Sequence, residues 1–253
     1  MKIRRIVVGL DFAPHSRPAL EAAALLAGEL DAELEALFVE SDELHRMAGM
    51  PFAREVGVGS ASARPMDPAA LERALEAHAR DARRALTQLA GARPLRWSLR
   101  VTRGSVSEEI VAAATPEDLT VIGISRWGPE TLRLAQESPA TLLVMPQSGR
   151  FRGPLAAVCP LAVDPARAVD LLLPLSGAVG DGLTLLVSTG DVAAARTWCE
   201  KAAQLLGAQG RRADLEIVRE SQPEALQAAL ERLAPRAVAI LAPPPPARTP
   251  RIG

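Results

Sequence analysis

The sequence predicts an α/β protein with parallel sheets, built as two tandem repeats. Short β-branched or apolar runs alternate with amphipathic helical patterns, which is the signature of βαβ units whose right-handed crossover requires parallel strands. The second half of the chain repeats the plan of the first. With 253 residues, the chain exceeds the usual domain size of roughly 100–150 residues, so two domains or one double-length α/β unit are expected.

In the first half, "RRIVVGLDFAPHSRPALEAAALLAGELDAELEALFVES" gives a strand at residues 6–8, a helix over about residues 17–30 and a strand over residues 34–39. Ser16 is placed to cap that helix, and Pro18 lies in its first turn, where a missing N–H costs nothing. Residues 45–65, "HRMAGMPFAREVGVGSASARP", read as a long loop whose Met47, Met50 and Phe52 either dock a partner or fold onto their own domain. The segment "DPAALERALEAHARDARRALTQLAG" is a long amphipathic helix that Asp67 can cap and Gly91 can end. The strands "RWSLRVTRG" and "DLTVIGIS" follow, with the helix "SVSEEIVAAA" between them, and "ATLLVMP" supplies a fifth strand.

The second half opens with "LAAVCPLAVDPARAVDLLLPLSGAVGDGLTLLVST", where Asp164 before Pro165 stands as Ser16 stood. "GAQGRRADLEIVRESQPEALQAALERLAPRAVAILAPP" then parallels residues 91 onward, with Arg219 and Ser221 in the places of Arg103 and Ser105. After "AVAILA" comes the run Pro243, Pro244, Pro245 and Pro246. Such a run cannot continue as a central strand, so the second copy lacks a fifth one. The expected organisation is a first domain over residues 1–147, a degenerate second domain over 153–242 and a Pro-rich tail over 243–253. The connector is short, which argues for repeats packed together.

A formal net charge of −1 with scattered arginines and only Lys2 and Lys201 as lysines gives no footprint for nucleic acid or an anionic membrane. The apolar run at residues 6–10 is stopped by Asp11 and is too short for a signal peptide or a membrane span. Cys159 and Cys199 have no CxxC spacing, so neither a disulfide framework nor structural zinc is expected, and a cytoplasmic location fits best.

Ligands of open parallel sheets gather at the carboxyl ends of strands, where the chain order reverses. That places Asp11, at the end of the first strand, beside a helix N-terminus suited to anions. Its position leaves two roles open: a partner for a ribose hydroxyl or metal-bound phosphate, or a turn-former bonding its own backbone. His15, His45 and His78 form neither a triad nor a metal set, and no nucleophile or paired carboxylates can be assembled from the sequence.

The stretches "IVVGLDFAPHSRPALEAAALLA", "ELEALFVE", "GSVSEEIVAAA" and "DLTVIGIS", in this order, resemble the universal stress protein family over residues 1–146, with a weaker copy over 153–242. The resemblance implies a Rossmann-like parallel sheet of order 3-2-1-4-5 and, for ATP-binding members, a site made by an aspartate after strand 1, backbone at the end of strand 2 and a loop G-x2-G-x9-G-[ST] after strand 4. Asp11, Val39 and Gly123 match. Arg126 takes the place of the second glycine, Gly128 falls two residues late, and no Gly-Ser or Gly-Thr follows.

Close approach of backbone N–H groups to phosphate needs those glycines. The expected site of Asp11, Val39, Gly123, Ser125, Arg126 and Gly128 is therefore vestigial or altered, with ATP or AMP weakly held or not at all. Arg126 and Trp127 could instead form a new anion or ring site, or Trp127 could cover apolar surface. In the second copy Pro160 or Leu161 replaces Asp11. The resemblance also implies dimerisation through the last strand, here between the repeats. The expected function is a non-enzymatic regulatory one exercised through an unidentified protein partner or a homodimer, and an adenine-nucleotide sensor is the alternative.

Overall fold

The computed structural model describes residues 3–11, 13–56, 63–92, 94–146, 153–180, 182–219 and 223–243. The first repeat comprises β1 (Arg5–Leu10), α1 (Ser16–Leu30), β2 (Glu33–Ser41), α2 (Asp42–Ala48), β3 (Arg54–Val56), β4 (Ala63–Pro65), α3 (Pro68–Ala92), β5 (Trp97–Gly104), α4 (Val106–Ala113), β6 (Leu119–Ile124), α5 (Pro129–Glu137) and β7 (Thr141–Pro146). The second comprises β8 (Leu155–Pro160), α6 (Pro165–Val179), β9 (Leu183–Thr189), α7 (Val192–Ala208), β10 (Asp214–Arg219), α8 (Pro223–Leu233) and β11 (Ala237–Ile240).

All the strands except the β3–β4 hairpin join one nine-stranded sheet of order β10-β9-β8-β11-β7-β6-β1-β2-β5. The first half of that sheet has the order 3-2-1-4-5, and the second has 3-2-1-4. Every pairing is parallel except the seam, where β11 lies antiparallel to β7 with Val238, Ala239 and Ile240 opposite Val144, Leu143 and Leu142. On its other side β11 runs parallel to β8. β7 of the first repeat thus occupies, in antiparallel orientation, the place that the second repeat's missing fifth strand would hold. The central strands read as continuous apolar runs because both faces are covered. Helices α1, α3, α6 and α7 pack on one face and α4, α5 and α8 on the other.

Arg5 ties the amino-terminal end of the first half-sheet together. Its guanidinium donates to both carboxylate oxygens of Asp118 (3.1 and 2.6 Å), to Glu35 (2.8 Å) and to the Ala113 carbonyl (2.9 Å). The two outer strands carry charge: Arg100 pairs with Glu35 and Arg103 with Glu40 at β5, and Arg232 pairs with Glu216 at β10. Such charges discourage edge-to-edge pairing with other chains.

Several local expectations are corrected. Ser16 does not cap α1: it is the first helical residue, and His15 is the N-cap, with no side-chain cap bond. Residues 45–65 are not one long loop, since α2 includes His45 and Met47 and β3 pairs with β4 in a hairpin; residues 57–62 lie outside the described residues. Phe52 is 76% exposed, and Met47 and Met50 are exposed as well. Gly91 does not end α3, which runs through Ala92. Asp67 does bond the Ala69 N–H (3.0 Å), and Asp164 caps α6 through the Ala166 N–H (2.8 Å). Residues 147–152, where the repeats were expected to join, and residues 244–253 of the Pro-rich tail lie outside the described residues, as does Ser221.

Candidate nucleotide-type site

The first repeat brings Asp11, Val39 and Gly123 to the carboxyl ends of three adjacent strands, β1, β2 and β6. Leu10 pairs with Phe38, so Asp11 and Val39 come next on neighbouring strands. Asp11 turns its carboxylate inward. Its Oδ1 accepts the Ser16 hydroxyl (2.5 Å) and the Ala13 N–H (2.8 Å), and Ser16 Oγ in turn accepts the Asp11 N–H (3.0 Å). Of the two roles that its position left open, the turn-forming one is realised in this geometry. The Val39 side chain is buried in the core beneath α4 and α5.

Gly123 is required by packing. A Cβ there would collide with the carbonyl group of His15, which lies directly against it. The β1–α1 loop is therefore seated on the end of β6. His15 Nδ1 is buried there without a hydrogen-bond partner among the described residues.

Only residues 125–128 join β6 to α5. Ser125 and Arg126 are exposed. Gly128 is the N-cap of α5 with an extended backbone (φ −164°), and a Cβ on it would meet nothing within 4 Å. Nothing in the fold requires glycine there. Trp127 is half-buried, and with Leu132 it faces Leu226 and Leu230 of α8 across a small cleft of about 150 Å³. The indole therefore covers apolar surface at the junction of the repeats.

The sheet registers settle the second copy. Ile6 faces Leu34 and Leu119, while Leu155 faces Leu183 and Ala237. Helices α1 and α6 are both 15 residues long. Leu155 thus corresponds to Ile6, and Pro160 stands in the place of Asp11. Here the β8–α6 loop is fixed by Trp198 of α7, whose Nε1–H donates to the Val163 carbonyl (2.7 Å), and by Lys201 bonding Asp164 (3.3 Å). Cys159 is buried, which pushes its thiol up to about 12, and neither it nor Cys199 is in a disulfide.

Among the described residues no group of three or more His, Cys, Asp or Glu could hold a metal, and no helix is long and apolar enough to cross a membrane. The sequence reading missed the Ser16 hydroxyl, the His15 carbonyl over Gly123 and the Trp198 anchor. A serine soon after D-F-A-P was a signal for the first; the other two are tertiary contacts with no local signature.

The family model described as "Universal stress protein family" matches residues 2–158. The chain belongs to the universal stress protein family. Among solved structures, this family member is similar to a universal stress protein from Archaeoglobus fulgidus DSM 4304, with 11% identity over 95% of this chain and 98% of that one and a TM-score of 0.58. A functionally unknown protein from Pseudomonas aeruginosa PAO1 is similar at 13% identity over 95% and 93%, with a TM-score of 0.50. A universal stress protein UspA from Lactobacillus plantarum aligns at 23% identity with 57% of this chain and 98% of its own, with a TM-score of 0.42. The first two likenesses concern the fold, and they span both repeats. No curated protein matches the chain significantly.

Proposed function

We propose that this universal stress protein is a non-enzymatic regulator that works through protein association and has given up tight ATP binding. The observation that carries this reading is the internal use of Asp11, whose carboxylate already holds the Ser16 hydroxyl and the Ala13 N–H. Both bonds end on Oδ1, so a nucleotide hydroxyl would have to share the carboxylate with the loop. The four-residue β6–α5 turn, residues 125–128, offers little backbone to wrap a phosphate. Exposed Met47, Met50 and Phe52 supply adaptable apolar surface for a protein partner or a second copy of the chain. A cytoplasmic setting belongs to the same reading.

The test is calorimetric titration of nucleotide-stripped protein with Mg-ATP, ADP and AMP, alongside Asp11→Ala. No saturable heat up to millimolar ligand is expected. Micromolar binding lost in Asp11→Ala would replace this reading with an adenine-nucleotide sensor built on Asp11, Val39 and Gly123, the alternative favoured by their adjacency on β1, β2 and β6.

A further inference from the structure

At the amino-terminal ends of their strands, opposite the Asp11 site, the two repeats differ by an exchange of charge. Strand registers and equal helix lengths align Asp31, Glu33 and Leu34 with Gly180, Gly182 and Leu183. The same registers, with α3 and α7 ending at Ala92 and Ala208, align Leu95 and Arg96 with Arg211 and Arg212. In the first repeat the Arg96 guanidinium lies 3.9 Å from the Asp31 carboxylate and 3.8 Å from that of Glu33, and it donates to the Asp31 carbonyl (3.5 Å). In the second repeat Arg212 keeps the cation, both acidic positions are glycine, and Arg211 adds a second cation.

The backbone keeps this place free of side chains. Gly180 and Gly182 have φ of +128° and +103°, a region that residues with a Cβ rarely adopt, so a carboxylate at either position would be strained. Beside them opens a cavity of about 330 Å³, walled by Leu173, Ser176, Leu183 and Gly210. That is the lower end of small-molecule sites, roughly 300–1,000 Å³. The charged side chains among its described lining residues are Arg211 and Arg212. Arg211 reaches the buried Ser176 hydroxyl (3.5 Å), and neither arginine pairs with a carboxylate among the described residues. Nor are they needed as helix caps. The last-turn carbonyls of Ser176 and Val179 in α6, and of Leu206 and Gly207 in α7, already accept backbone N–H groups. Those two helix ends are negative poles of roughly half a charge each, which two guanidinium groups outweigh.

We infer that this cavity binds a short dicarboxylate, which supplies from outside the two carboxylates that Asp31 and Glu33 supply to Arg96 in the first repeat. One carboxylate is held by Arg212 and the other by Arg211, through charge-assisted hydrogen bonds. The methylene groups between them lie on Leu173 and Leu183. No part of the site comes from the Asp11 loop or from the exposed Met47, Met50 and Phe52 surface, so it goes beyond the proposed function and does not rest on it.

The test follows the full chain by amide NMR at constant ionic strength, with succinate, acetate and the uncharged succinamide as probes. Shifts at Ser176, Gly182, Leu183 and Arg211 are expected to saturate at millimolar succinate. Acetate, which has one carboxylate, should bind at least about fivefold more weakly, and succinamide should shift nothing. Arg211→Gln and Arg212→Gln should each weaken succinate at least about fivefold, the loss of a hydrogen bond to a charged group in a partly open site. Both side chains are exposed, so these variants should fold as wild type does. Arg96→Gln, the counterpart in the first repeat, should leave binding unchanged. Asp181, between the two glycines, lies outside the described residues, and Asp181→Asn should bind succinate at least as well as wild type. The inference is overturned if succinate does not saturate, if acetate or succinamide binds as tightly, or if either arginine variant binds as wild type does. It is also overturned if succinate binds only in Asp181→Asn, since the chain's own carboxylate would then be the anion. Mg-ATP binding that depends on Asp11 and ignores Arg212→Gln would overturn the proposed function and leave this site intact.

Discussion

The carbonyl of His15 rests against the α-carbon of Gly123, closer than any side chain on residue 123 would permit. The glycine that matches the start of a phosphate loop is thus used to seat the β1–α1 loop on β6. Gly123→Ala should push that loop away and cost about 1–3 kcal/mol, the range for overpacking a tight site. Gly128→Ala, with nothing near its added methyl, should cost under about 1 kcal/mol as an N-cap change. Urea unfolding of the two variants checks the contrast.

Asp11 and Ser16 bond each other in both directions, so their effects on stability should be coupled. Ser16→Ala and Asp11→Ala should each lower stability by about 1 kcal/mol or somewhat more. The double variant should lose at least about 0.5 kcal/mol less than the sum, as groups in one network do. An additive result in urea unfolding would mean the pair does not hold the loop.

Trp198 contributes both a ring and an N–H. Trp198→Phe keeps most of the packing and removes the bond to Val163, for an expected loss of about 1–2 kcal/mol. Trp198→Ala also leaves a cavity and should cost about 3–5 kcal/mol. Thermal and urea denaturation distinguish the two steps.

Asp118 should make part of the stability acid-labile. Burial pushes its carboxyl up, but the hydrogen bond from Arg5 and those from the Thr115 N–H and hydroxyl outweigh this and hold it below its ordinary value. In the unfolded chain it takes up its proton near about pH 3.9. Its contribution is therefore complete above that value and is lost as the pH falls through the lower folded value. Asp118→Asn should be destabilised by about 1.5–3 kcal/mol at neutral pH, and its urea midpoint should fall less steeply than that of wild type below pH 4.

The seam should make the repeats unfold together. Leu143 and Ala239 face each other within the same buried core, so Ala239→Asp would bury an unpaired carboxyl group where the half-sheets meet. Calorimetry of the wild type should show one transition with equal calorimetric and van't Hoff enthalpies, and Ala239→Asp should split it or lower it by several degrees.

Most of the strands and helices were legible because each is bounded by its own signals. β1 and β2 are apolar runs on either side of an amphipathic helical pattern, and Asp164 announces α6. The strand order followed from the family resemblance. The hairpin of β3 and β4 was not legible, because neither three-residue strand carries an alternating pattern long enough to register. At the candidate site, sequence found the strand ends that place Asp11, Val39 and Gly123 together. It could not show that Asp11 bonds Ser16, since a serine before a helix is more often a cap.

The seam also sets an order of events during synthesis. β7 is complete at Pro146, but the strand that covers its outer side, β11, is not made until residues 237–240. At about 5–20 residues per second, the ribosome leaves the buried, apolar edge of β7 without its partner for several seconds. The first half-sheet can fold in that interval, but its open flank is a template for strands of other nascent chains. The last of the described strands to emerge is thus the one that closes both halves, and slow translation through the second repeat lengthens the exposure of that flank.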